Sequence, residues 1–350
     1  MGLVLRLGDR TYDLSTRAIV AGILNRTPDS FFDHGATFEL DSLLARAAEH
    51  VEAGADILEV GGVKAGIGAE VTLAEELDRV IPAVAALVDR FGVPVAVDTW
   101  RGTVIREAMA AGAVLANDIS GFADPEYLPA VAQAGGSVVA THIRLRPREY
   151  DPNPVYDDVV SEVEAFLAGC IDMAERAGIP RDRIVIDPGL DLGKNAEQSL
   201  ALLGSSGEFT SLGQPLFLAA SNKDFLGETL SLAVNERRDA TMAALSIGIM
   251  LGCRVLRVHD VSGACRVRNT IAALLAGRPA VPAQSLSLSP AGWEIAGRDG
   301  KRQDCGGPRR KRQDYGGTGG RRQDRTGPGS NGWQRLGGPG SRRQGAGWRT

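Results

Sequence analysis

The sequence predicts a (β/α)8 barrel, on three observations. Short apolar, β-branched runs alternate with stretches of helical period between residues 18 and 276. Eight such strand–helix units can be read, enough to close a parallel sheet on itself. Nearly every strand ends in a polar side chain, the usual edge for a site on such a barrel. An open doubly wound sheet is the alternative, and it normally carries Gly-x-Gly-x-x-Gly after its first strand. Here that turn reads Asn25-Arg-Thr-Pro-Asp-Ser30, so the closed barrel is preferred.

The elements follow in order. Leu3, Leu5 and Leu7 alternate before Gly8-Asp9, and Tyr12 and Leu14 after it, which predicts a β-hairpin over residues 1–17. The first barrel strand is Ala18–Leu24. Leu40, Leu43, Leu44, Ala47, Ala48 and Val51 then keep a 3.6-residue period, and Gly54 ends that helix. The second strand lies within Asp56–Val60. Leu73 to Val88 forms a helix in which Pro82 predicts a kink. Strands three to five are Pro94–Val97, Ala113–Ala116 and Ser137–Ala140. A long helix is expected over about 155–178, then a buried strand, Ile184–Ile186, ending at Asp187. Pro188-Gly189 blocks its continuation. Strand seven is Pro215–Ala220, strand eight Arg254–Val258, and a final helix runs through Ile271–Leu275.

Composition divides the chain. Residues 291–350 carry 14 Lys and Arg against 5 Asp and Glu, whereas residues 1–290 carry 25 against 38. Lys-Arg-Gln-Asp recurs at Lys301 and Lys311, and Arg-Arg-Gln-Asp at Arg321, with glycine between and few aliphatic residues. Such a segment buries too little surface to offset the cost of ordering, so 284–350 is expected to be disordered and the barrel domain to span 18–283. Gly-Arg tracts with Trp and Tyr can bind nucleic acid loosely, but a solvated tail of no specific role is preferred. The opening Met1-Gly-Leu-Val-Leu-Arg6 lacks the apolar core of a signal peptide and no apolar run reaches membrane length, so neither a leader nor a membrane span is expected. Cys170, Cys253, Cys265 and Cys305 show no metal spacing, which predicts reduced thiols in a cytoplasmic protein.

On a barrel the strand ends converge on one mouth. Its inventory is Asn25, Asp98, Asn117, Asp187, Lys223, Arg257 and His259. Each has a bland reading: Asn25 as a turn former, Asp98 as a helix cap, His259 as a core histidine. Together at one edge they point to a site. Arg257, His259 and Asn25, from neighbouring strands eight and one, are expected to form an anion corner. Asp98, Asn117, Asp187 and Lys223 are expected to line the centre. They suit a flat heterocycle with an amino-imino edge beside a carbonyl.

These motifs resemble dihydropteroate synthase over nearly all of residues 18–276. The resemblance rests on Gly22–Phe31, Val97-Asp-Thr-Trp100, Asn117-Asp-Ile-Ser-Gly121, Asp187-Pro-Gly189 with Gly193-Lys194, and Arg257-Val-His-Asp260. It implies condensation of 6-hydroxymethyl-7,8-dihydropterin diphosphate with 4-aminobenzoate and release of pyrophosphate. Carried over by motif, Asp98, Asn117, Asp187 and Lys223 hold the pterin, and Arg257 and His259 the phosphates. Asn25 contacts Mg2+, the implied cofactor. Asp98, Lys223 and Arg257 are the implied catalytic set. A homodimer is implied as well; from the sequence itself no membrane partner is expected, and a nucleic-acid partner is not favoured.

Three departures stand out. The family's Gly-Gly-Glu-Ser-Thr-Arg-Pro-Gly loop is Gly61-Gly-Val-Lys-Ala-Gly-Ile-Gly68, so Ala65 and Gly66 replace the threonine and arginine that close over pyrophosphate. Lys64 is a shorter substitute without the bidentate fork. Ser-Arg-Lys-Ser becomes Ser221-Asn-Lys-Asp224, which is expected to set Asp224 against the aminobenzoate carboxylate. Leu192 replaces an aromatic. An alternative reading is therefore a paralogue that binds a pterin or its diphosphate with weak or no synthase activity.

Overall fold

The computed structural model describes residues 2–27, 38–149 and 151–276. The expected tail, the 277–283 boundary region, Cys305 and the Pro28–Phe31 part of the first loop lie outside the described residues.

Strands β1 (Val4–Leu7) and β2 (Arg10–Asp13) form the antiparallel hairpin, turning at Gly8, whose φ is +57°. The barrel strands are β3 (Ile19–Asn25), β4 (Ile57–Gly61), β5 (Val95–Asp98), β6 (Leu115–Asp118), β7 (Ser137–Thr141), β8 (Ile184–Asp187), β9 (Leu216–Leu218) and β10 (Cys253–Val258). All eight pair in parallel, and β10 closes onto β3. The helices are α1 (Leu40–Glu52), α2 (Leu73–Arg90), α3 (Gly102–Ala110), α4 (Tyr127–Gln133), α5 (Val159–Arg176), α6 (Ala196–Gly204), α7 (Ser206–Phe209), α8 (Asp224–Leu230), α9 (Arg238–Met250) and α10 (Val261–Ala276). Helix α2 runs through Pro82 without a break, its start fixed by a Thr72–Glu75 capping box.

Period-two alternation sorts each strand into two faces. Val20, Leu24, Leu58, Val60, Val97, Ala116, Val138, Ile184, Leu256 and Val258 pack outward against the helices. Ile19, Ala21, Ile57, Ala96, Leu115, Val139, Val185, Phe217 and Val255 fill the lumen. Leu5, Leu7 and Leu14 join that inner cluster, so the hairpin packs onto the barrel's interior layer. The next inward position toward the C-terminal end of each strand is polar in most cases. Ala96 gives way to Asp98, Leu115 to Asn117, Val139 to Thr141, Val185 to Asp187, Val255 to Arg257 and Ile57 to Glu59. The same alternation that fills the core therefore sets a polar layer directly above it.

Among the described residues no helix is long and apolar enough to cross a membrane. Cys170, Cys253 and Cys265 are buried free thiols.

Candidate active site

A cavity of about 340 Å³ opens over this polar layer. All seven predicted strand-end residues line it: Asn25, Asp98, Asn117, Asp187, Lys223, Arg257 and His259. Register explains the convergence. Asn25 pairs with Gly61, Gly61 with Asp98, and Asp98 with Asn117, while Thr141 pairs with Asp187.

Arg257, expected in the anion corner with His259 and Asn25, also contacts the central group. Its guanidinium reaches inward: Nε donates to Glu59 Oε1, and Nη2 donates to Asp98 Oδ2 at 2.7 Å. Two buried carboxylates attract a neighbouring cation strongly, so Arg257 belongs to the central cluster as much as to the corner. Burial pulls its pKa down, but Glu59 and Asp98 overcome this and hold it above the usual arginine value. Burial also drives Asp98 up to about 7, against the opposing pull of Arg257.

Glu59 and Thr141 were not among the strand-end candidates. Glu59 is 1% exposed and accepts from Asn117 Nδ2 at 3.0 Å as well as from Arg257. An acid within the apolar run Ile57–Val60 is the signal that marks it. Thr141 lines the cavity, and its Oγ1 is buried without a hydrogen-bond partner, as is Asn117 Oδ1.

The Asp187 loop is built to hold one carboxylate still. Asp187 Oδ1 accepts from Gly189 N at 2.8 Å. Gly189 has a φ of +69°, and a Cβ there would lie 1.9 Å from the His142 carbonyl oxygen. Lys194 lies beneath, 7% exposed, donating to the Gly189 carbonyl at 2.8 Å, the Leu192 carbonyl at 3.1 Å and His142 Nδ1 at 2.8 Å. Its work is structural: it satisfies the carbonyls of a loop that has no ladder partners. Burial raises the Asp187 pKa, with Lys223 opposing, and burial lowers that of Lys223, with Asp191 and Asp187 opposing. Lys223 donates to the Leu190 carbonyl, while Asp191 accepts from Phe225 N at 3.2 Å and so caps α8.

At the opposite wall, Ser221 Oγ accepts from His259 N at 3.2 Å and lies 2.9 Å from His259 Nδ1. A hydroxyl that donates to Nδ1 puts the ring proton on Nε2. Burial, reinforced by Arg257, lowers the His259 pKa to about 3. It is therefore a neutral donor at physiological pH. A second cavity of about 390 Å³ shares His259, Ser221 and Asn222 with the first and is lined by Arg46, His50 and Arg238.

The departing residues are placed as follows. Lys64, Ala65, Gly66, Leu192 and Asp224 all line the first cavity. Asp224 is not an unpaired charge: Arg237 Nη1 donates to its Oδ1 at 2.7 Å. The expected bare repulsion is thus reduced by a cation from the start of α9.

The sequence profile of the pterin-binding enzymes matches residues 21–259. An inactive dihydropteroate synthase 2 of Mycobacterium leprae is 38% identical over 269 residues, covering 75% of this chain and 92% of that protein. The dihydropteroate synthase of Escherichia coli is also 38% identical, over 260 residues, covering 74% and 92%. The crystal structure of Yersinia pestis dihydropteroate synthase with a sulfonamide drug complex superposes with a TM-score of 0.76 at 36% identity, covering 79% of this chain and all of that one.

Proposed function

Because the chain belongs to the pterin-binding enzyme family, we propose that it is a dihydropteroate synthase-type transferase, joining 6-hydroxymethyl-7,8-dihydropterin diphosphate to 4-aminobenzoate with release of pyrophosphate. The observation that carries this reading is the convergence of Asp98, Asn117, Asp187 and Lys223 beside Arg257 and His259 in one cavity.

The pterin ring lies over the apolar lumen layer. Asp187 accepts from its amino-imino edge, Asn117 Oδ1 accepts one further N–H, and Lys223 donates to the ring carbonyl. Arg257 and the neutral His259 donate to the phosphates. The C–O bond to the leaving group breaks ahead of amine attack, so positive charge develops on the methylene and negative charge on pyrophosphate. Asp98 favours the first, and Arg257 the second.

Mg2+ fits as a substrate-borne ion. Asn25 Oδ1 and Asp98 Oδ2 lie 3.7 and 3.9 Å from the point a Cβ on Gly61 would occupy, so hard oxygen donors flank a bare glycine. Asn25, with Asp98 beside it, would hold the ion, which would supply neutralisation of the negative charge on the phosphates.

A second reading, a pterin-binding protein with little turnover, is favoured by Ala65-Gly66, which bring no side-chain donor to the pyrophosphate end. Both readings require the pterin pocket. Fluorescence titration with a pterin checks it: Asp187→Ala should weaken binding by about 1–3 kcal/mol, because a buried donor edge loses its acceptor. Unchanged affinity would remove Asp187 from the site.

A further inference from the structure

Glu59 does not line the cavity, yet both its carboxylate oxygens are engaged by residues that do. Oε1 accepts from Arg257 Nε and Oε2 accepts from Asn117 Nδ2 at 3.0 Å. We propose that Glu59 is a positioning residue that locks the Asn117 amide, and so fixes which edge of a heterocycle the pocket accepts. This rests on the pterin reading of the same site.

An Asn side chain can ordinarily rotate its amide by half a turn, exchanging acceptor for donor at little cost. Here that rotation would place Oδ1 against Glu59 Oε2, two acceptors face to face inside a buried cluster. The same carboxylate holds Arg257, from β10 two strands away, so it cannot swing away without releasing a guanidinium. Asn117 therefore keeps Nδ2 on Glu59. Its Oδ1, buried and without a hydrogen-bond partner, awaits a donor from the ligand. A ring with an amino group at that point satisfies the oxygen. A ring with an oxo group there opposes two lone pairs and is rejected, because a buried polar group stays unpaired.

Replacing Glu59 by Gln inverts the lock. Arg257 is the stronger donor, so it claims the glutamine oxygen and leaves the glutamine NH2 facing Asn117. Asn117 then turns, presenting Nδ2 to the cavity. Shape is nearly unchanged, while polarity is reversed.

The test measures binding of two rings that differ at this point, pterin (2-amino-4-oxo) and lumazine (2,4-dioxo), to wild type, Glu59→Gln and Glu59→Asp, each checked by thermal melting. Wild type should prefer pterin by at least about tenfold. Glu59→Gln should narrow that preference by weakening pterin and strengthening lumazine, leaving the part that Asp187 supplies by accepting from the amino-imino edge. Glu59→Asp, still able only to accept, should keep it. A merely structural role would weaken both rings equally and leave the ratio alone, and that result in Glu59→Gln overturns the proposal. If Glu59→Gln does not fold, Glu59→Asp decides: retained selectivity supports the lock, and lost selectivity in a folded protein overturns it. Wild type that binds neither ring defeats the pterin reading itself, and the inference with it. Wild type that binds both rings equally defeats the inference alone.

Discussion

Arg237 Nη1 lies 2.7 Å from Asp224 Oδ1, so the acid that departs from the family pattern at the cavity rim brings its own counter-ion. Arg237 is itself 8% exposed and also donates to the Asn222 carbonyl at 2.9 Å. The pair forms across the loop between α8 and α9. A net-neutral rim repels an aryl carboxylate far less than a lone aspartate does.

That pairing gives opposite expectations for its two members. Asp224→Ser should lower the apparent KM for 4-aminobenzoate, because Arg237 becomes available to its carboxylate. Arg237→Met, which keeps the packing volume over Gly227, should raise it by exposing the Asp224 charge. In both, kcat should change less than KM, since the contact is made in the ground state and transition state alike. Steady-state kinetics in the second substrate reads the split.

The second loop can be repaired. A Cβ on Gly66 would meet nothing closer than Lys64 Cε at 3.7 Å, so a side chain fits. The Ala65 carbonyl is held by Arg148 N at 3.2 Å, a backbone contact that a new side chain leaves intact. Ala65→Thr with Gly66→Arg should therefore raise kcat, by supporting charge that develops only as pyrophosphate departs. Pyrophosphate release under saturating substrate checks it.

Gly189→Ala should abolish pterin binding and lower the melting temperature. The added methyl collides with the His142 carbonyl, and the backbone holds a φ that alanine disfavours. The loop that donates to Asp187 cannot relax without moving that carboxylate. Normal binding in a folded Gly189→Ala protein would show the loop to be more compliant than its packing indicates.

His142 carries a pH dependence. Burial, then the charge of Lys194 at 2.8 Å, lowers its pKa to about 3. The unfolded chain binds this proton near pH 6.5 while the folded protein does not. The neutral ring therefore contributes stability that is present above about pH 6.5 and lost as pH falls toward 3. One pH unit below the unfolded value the loss is about 1.4 kcal/mol. His142→Gln, whose amide oxygen can still accept from Lys194, should lose less stability than wild type between pH 7 and 5. Denaturant melts at several pH values give the difference directly.

The barrel was legible because its signals are local. Apolar runs such as Ile184–Ile186, closed by Pro188-Gly189, announce a strand and its end, and strand count with spacing then gives closure. Five inward polar residues and two loop or strand-end residues were found by their position at strand tips. Glu59 was missed because it stands within its strand and not at the tip, and its partners on β6 and β10 are set by the closed barrel. The Arg257 contacts to Glu59 and Asp98 and the Asp224–Arg237 pair were missed for a related reason: both join residues remote in sequence. Their partners are chosen by burial and three-dimensional proximity, which no local pattern encodes.

Condensation in this cavity consumes both organic substrates and frees pyrophosphate. Pyrophosphate release measured with the dihydropterin diphosphate, Mg2+ and 4-aminobenzoate, and with each organic substrate omitted in turn, tests it most directly. Release should require both substrates, at a rate below the typical enzyme value of about 10 per second, because Ala65-Gly66 leave the pyrophosphate end weakly supported. Absence of release from protein that demonstrably binds the pterin diphosphate would contradict condensation in this cavity.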